Sequence, residues 1–218
     1  MVDAALFPAI RAAVRANELG GVSPYCLSYA RLSNSGASFG VFQGDTNVNS
    51  QARIALTHAL SAAGIDTSTI DRLVAAVSMP LPDGSPLSAD DSALVNGALA
   101  APAGRTIVDQ MDDELMVHVV DGIDSCIAAS NPRPIDPEAQ LYIALWTNMT
   151  GPPTTLTKWL GGTPEIGLAS PGGDTVAAAD LASYLQASSF YQKNPRNFAH
   201  LQASVRAGVT LLPSVATS

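Results

Sequence analysis

The chain has 218 residues, with 11 Lys and Arg against 19 Asp and Glu for a formal charge of −8, and is 47% hydrophobic and 14% charged, a balance that fills a core and excludes a disordered or low-complexity chain. The acidic surplus excludes nucleic acid and anionic membrane as expected partners, because phosphate binding draws its affinity from Lys and Arg displacing counterions. Membrane insertion is not expected either: no run nears the roughly 20 apolar residues that span a bilayer, and the most apolar one, residues 115–120, is bracketed by Asp112, Asp113, Glu114 and Asp121.

Residues 3–19 place Leu6, Ile10 and Val14 four apart with Arg11 and Arg15 off the stripe, and Gly20-Gly21 follows as a stop. That pattern predicts an amphipathic first helix. Asp3 stands where a signal peptide carries basic residues, and the two arginines interrupt any apolar segment, so no leader is read here. Residues 21–49 turn to Ser, Gly, Asn and aromatics. The stretch LSYARLSNSGASFGVFQGD reads as a short hairpin turning near Asn34-Ser35-Gly36, with a strand over residues 40–43.

Helical periodicity resumes over residues 50–64, capped by Ser50, then over 67–79 and 88–101. From 105 to 129, Ile107, Met111, Leu115, Val119, Ile123 and Ile127 recur every fourth residue, and Met116, Val117 and Val120 make the middle apolar nearly all round. A buried central helix is predicted there. Residues 136–150 and 154–162 form a helix–loop–helix unit, 161–174 a Gly/Pro loop, and 175–208 two more helices. The expected architecture is mainly α (α+β) in a single domain over 1–213, with a hairpin lobe at 21–49, a frayed tail at 214–218, and a monomeric state.

Stepping by four from Leu6 through Ile10 and Val14 lands on Glu18. A carboxylate that continues a buried stripe to the end of its helix occupies the partly desolvated position that suits a general acid; the plain alternative is that Glu18 reaches solvent or pairs with an Arg. His58, His118 and His200 fall on three different helices without ligand spacing, so neither a metal nor a cofactor is expected, and His118 reads as core. Cys26 and Cys126 permit one disulfide without requiring it, and lack the context of a thiol nucleophile.

The run SNSGASFGVFQGDTN, shortly after a helix-borne Glu, resembles the signature of the lysozyme-like superfamily, in which a catalytic Glu at a helix end precedes a small hairpin. Goose-type lysozymes and lytic transglycosylases carry a Gly-x-Gly-(Leu/Met)-Met-Gln type run there, and this chain has Gly36, Ala37, Ser38, Phe39, Gly40, Val41, Phe42 and Gln43. Phage-type and pesticin-like muramidases carry a Ser-Gly-x-Thr-Ile-Gly-x-Gly-x-Asp run, matched in order by Ser35, Gly36, Ser38, Phe39, Gly40 and Asp45. The resemblance covers residues 10–47 and implies a lysozyme-like, antimicrobial glycosidase acting on the N-acetylmuramic acid–N-acetylglucosamine backbone of peptidoglycan. It would act at the bacterial wall or extracellularly, delivered by another route or by a leader this chain lacks. Glu18 would be the acid, and Asp45 would orient water or stabilise an oxocarbenium-like transition state.

Gln43 would offer its amide to the sugar, Ser38 would position water or serve a turn, and Tyr25 and Tyr29 would stack on pyranose rings or pack. Trp146 and Asn148, with Trp159, would line the far wall. For Asp45 a helix cap or an Asx-turn before Asn47 stands as the alternative. A lytic transglycosylase, a chitosanase or chitinase, and a non-catalytic wall-binding or phage structural module remain alternative functions.

Overall fold

The computed structural model describes residues 1–32 and 34–213, so the tail expected at 214–218 lies outside the described residues. These residues are mostly helical with one small antiparallel sheet, a mainly α (α+β) architecture. In chain order the elements are α1 (Phe7–Leu19), β1 (Ser28–Tyr29), β2 (Ala37–Phe39), β3 (Gly44–Asp45), α2 (Ser50–Ala62), α3 (Thr67–Val77), α4 (Ala89–Ala100), α5 (Pro102–Ser130), α6 (Pro137–Thr150), α7 (Thr154–Leu160), α8 (Ala178–Ala187), α9 (Ser189–Lys193) and α10 (Pro195–Val209). They form two compact units, one made of Met1–Gly20 with Val117–Ser218 and the other of Gly21–Met116. No helix among the described residues is long and apolar enough to cross a membrane.

In the first of these units the predicted stripe is buried: Leu6, just ahead of α1, is 4% exposed, and Ile10 and Val14 within it are fully covered. Burying each such side chain contributes about 1.5–3 kcal/mol. α1 packs chiefly on α10 and also on α6. The approach to α10 is close, since a Cβ added to Gly208 would meet Ala9 O at 2.7 Å and the Ala13 Cβ at 3.0 Å. Gly20 ends α1 in the left-handed conformation, φ 52°, the C-terminal stop the sequence predicts.

The central helix is α6 rather than α5. Residues 139–145 of α6 are all buried, the mark of a helix enclosed on every side. α5 covers one face only: Val117 is 55% exposed, and His118, read from the sequence as core, is exposed. An apolar circumference therefore did not translate into burial, because neighbouring elements cover a single side of this helix. Where the periodicity predicts two helices over 175–208, three form. Ser188 ends α8 in an extended conformation and its hydroxyl caps α9, and Pro195 then starts α10, where its missing N–H is harmless.

In the second unit the three strands lie in the order β1-β2-β3. Ser28 pairs with Ser38 and Tyr29 with Ala37, while Ser38 pairs with Asp45 and Phe39 with Gly44. Residues 40–43, expected as a strand, are instead the turn between β2 and β3, because Gly40 (φ 82°) and Gln43 (φ 52°) are left-handed and cannot continue an extended run. The cap of α2 is Asn49, whose Oδ1 accepts from the N–H groups of Gln51 (2.8 Å) and Ala52 (3.3 Å). Ser50, expected in that role, is the first helical residue. The Thr46 hydroxyl donates to Val77 O at 2.6 Å, so the sheet is tied to the end of α3.

Candidate functional site

Glu18 sits half-buried in the last turn of α1. A helix end leaves carbonyls without intrahelical partners, and His200 of α10 serves one of them, its Nε2 donating to Asn17 O at 2.9 Å. The Glu18 carboxylate receives two amide donors on the same oxygen. Asn148 of α6 donates Nδ2–H to Oε1 at 3.0 Å, and Asn17 donates Nδ2–H to the same Oε1 at 3.0 Å. Asn148 stands 130 positions from Glu18, so the fold has made this contact.

An aromatic group adjoins the carboxylate. The ring of Tyr191 lies 6.1 Å from that of half-buried Trp146, 4.9 Å from Phe190 and 5.5 Å from Phe198. Burial, and then the negative charge of Glu18, push the Tyr191 phenol up to about 12. Burial, with smaller pushes from Glu165 and Cys126, takes Tyr184 up to about 12 as well. Both phenols keep their proton in the folded chain where an unfolded chain releases it near pH 10, so this stabilisation is complete below pH 10 and is lost as pH rises toward 12. Urea midpoints measured across that window should fall steadily; a flat series would show that the two phenols titrate alike in both states.

Of the other expected site residues, Tyr25, Tyr29, Ser38, Gln43 and Asp45 all belong to the second unit. Asp45 turns its Oδ1 to two backbone donors, Asn47 N–H at 2.7 Å and Gly36 N–H at 3.0 Å. It therefore closes an Asx-turn and ties the strand connection to β3, while Asn49 caps the helix. The Gln43 carboxamide is engaged at both ends: its Nε2–H donates to Gly40 O at 3.0 Å and its Oε1 accepts from the Ser28 hydroxyl. Ser38 is 7% exposed in the middle strand.

The Tyr25 hydroxyl donates to Asp109 at 2.9 Å, and the Arg105 guanidinium lies 5.1 Å from its ring centre, so one face of that ring is already covered. Burial and the Asp109 carboxylate raise the Tyr25 phenol, and burial raises that of Tyr29, whose oxygen accepts from the Ser85 hydroxyl at 3.1 Å. Trp159 belongs to the first unit and is buried, donating Nε1–H to Ala169 O at 2.8 Å and packing 4.6 Å from Tyr184.

The turn between β2 and β3 is built on Asp112, one of the acidic residues that bracket the apolar run at 115–120. Asp112 is fully buried and accepts from Val41 N–H at 2.8 Å and Phe42 N–H at 3.2 Å. Position 40 has to be glycine: its φ is 82°, and a Cβ there would meet Asp112 Oδ1 at 2.6 Å. A signal for Asp112 did exist, since it follows Val108 by four and precedes Leu115 by three on the buried side of α5. Asn17 and Tyr191 beside Glu18, and His200 on the Asn17 carbonyl, carry no linear pattern that points to it.

Cys26 and Cys126 are free thiols, and Cys126 is pushed up to about 12 by burial. Among the described residues no three His, Cys, Asp or Glu side chains gather as a metal-binding group. No family model, no curated protein and no solved structure matches the chain.

Proposed function

We propose that the chain is a glycoside hydrolase acting on an amino-sugar polymer, first of all the N-acetylmuramic acid–N-acetylglucosamine backbone of peptidoglycan, with Glu18 as the general acid. The observation that carries this reading is the hydrogen bond from Asn148 to Glu18 Oε1 at 3.0 Å. It joins the helix-end carboxylate to the segment expected to contact substrate, in which half-buried Trp146 packs against the buried Tyr191 ring. The run of residues 35–45 that resembles lysozyme-like enzymes supports the same reading. In this chemistry the acid gives its proton to the glycosidic oxygen as the bond to the anomeric carbon breaks, and charge builds on an oxocarbenium-like sugar.

One observation favours a second reading. The Asp45 carboxylate already serves two backbone donors of its own hairpin. A lytic transglycosylase needs only one carboxyl, acting first as acid and then as base while a hydroxyl of the substrate itself attacks. Mass spectrometry of purified peptidoglycan, chitosan and chitin digested with the protein separates the readings. Reducing ends identify the hydrolase, anhydro ends the transglycosylase, and undigested polymer that sediments with the protein a binding module. Asp45→Asn is expected to abolish hydrolysis only in the first case; near-normal product yield from the folded variant leaves Glu18 to work alone.

A further inference from the structure

We infer that Asn148 is a positioning residue for Glu18, an inference that rests on reading Glu18 as the acid: together with Asn17 it anchors Oε1, so that Oε2 is the oxygen that hands over the proton. A glutamate side chain has three rotatable bonds, and holding it in one arrangement costs rotamer freedom. Two N–H donors on a single oxygen supply that hold. They come from two directions, Asn17 from the same helix turn and Asn148 from α6, so Oε1 is held from both sides.

The donors are themselves anchored. Asn148 projects from the central helix of its unit, whose residues 139–145 are buried, and the Asn17 backbone is held by His200. A carbonyl only accepts, so the His200 nitrogen in that contact carries a hydrogen. Amides suit the task because they hold the carboxyl without competing for its proton. An oxygen that already accepts two hydrogen bonds is the poorer place for that proton, which goes to Oε2. Asn148 thus acts through Glu18, in contrast to the sugar contact its sequence position suggests.

The two roles separate in kinetics. Asn148→Leu and Asn148→Ala remove the donor without adding a charge, so kcat on solubilised peptidoglycan should fall about 10- to 100-fold with KM nearly unchanged. A raised KM with kcat retained would make Asn148 a substrate contact and overturn the inference, as would wild-type values for both constants. If Asn148→Leu fails to fold, Asn148→Ala decides. A second readout needs no turnover: in 1H–15N spectra of the full chain, Glu18→Leu should move the side-chain NH2 signals of Asn17 and Asn148 together. Unmoved signals defeat the anchoring whatever the enzyme does. Wild-type turnover by Glu18→Gln defeats the reading of Glu18 as acid, a separate result from silent Asn148 variants in a chain that Glu18→Gln inactivates.

Discussion

Glu18→Gln is expected to lower turnover on peptidoglycan by at least about 100-fold, the loss that follows when a general acid can no longer titrate. The substitution suits the site. A glutamine carbonyl still accepts from Asn17 and Asn148, whose bonds to Oε1 are both 3.0 Å, so the end of α1 keeps its geometry and only the transferable proton is removed. The thermal midpoint should therefore stay within a few degrees of the parent while product release stops. Near-normal turnover in a folded variant would sink the assignment and leave the carboxylate as a helix-end contact.

Asp112→Ala carries the largest expected effect on stability. It leaves the N–H groups of Val41 and Phe42 without the acceptor they have in a fully buried place. Each unsatisfied buried donor costs about 1–3 kcal/mol, so a loss of about 3 kcal/mol or more is expected. In a chain of this size that corresponds to a melting point lower by roughly 6–12 °C. Asp112→Asn should fall in between, because one oxygen still accepts while the new NH2 faces a donor. Urea unfolding followed at the sheet unit measures both variants. An unchanged midpoint for Asp112→Ala would mean that water or a shifted turn satisfies both groups.

The helices were legible in the sequence because their signals are local. Spacing by four, Gly20 after α1 and Pro137 at the start of α6 each mark a position within one or two turns. What was illegible depended on partners. The all-round apolar middle of α5 resembles the enclosed run of α6, yet only α6 is surrounded, and no residue within α5 records which of its sides a neighbour covers. The turn at residues 40–43 reads as a strand in the sequence because the acceptor of its Val41 and Phe42 N–H groups, Asp112, lies 71 and 70 residues away in the chain. The helix cap was misplaced by one residue because Asn49 and Ser50 are both competent and only the geometry chose.

The candidate site divides the same way. Glu18 could be found from a helical stripe, and Asn148 from its place before a Pro-rich loop, but nothing in the linear sequence brings the two within hydrogen-bonding distance. Aspartates 112 and 113 look identical as letters, whereas one is fully buried and the other exposed. Four-residue spacing from Val108 distinguishes them only once α5 is known to have one covered face.

The pairing of α1 with α10 also sets an order of events during synthesis. The contact from His200 to Asn17 spans 183 positions, and the intervening chain includes the whole of Gly21–Met116. A chain that leaves the ribosome from its N-terminus emerges with Leu6, Ile10 and Val14 uncovered, and α10, on which α1 chiefly packs, is the last helix to be made. The other unit can fold meanwhile, and doing so shortens the effective loop that α1 and α10 must close. The end of α1 is therefore completed late: a nascent chain, or one clipped ahead of α10, has Asn17 and Asn148 for the Glu18 carboxylate but lacks His200, which holds the Asn17 backbone.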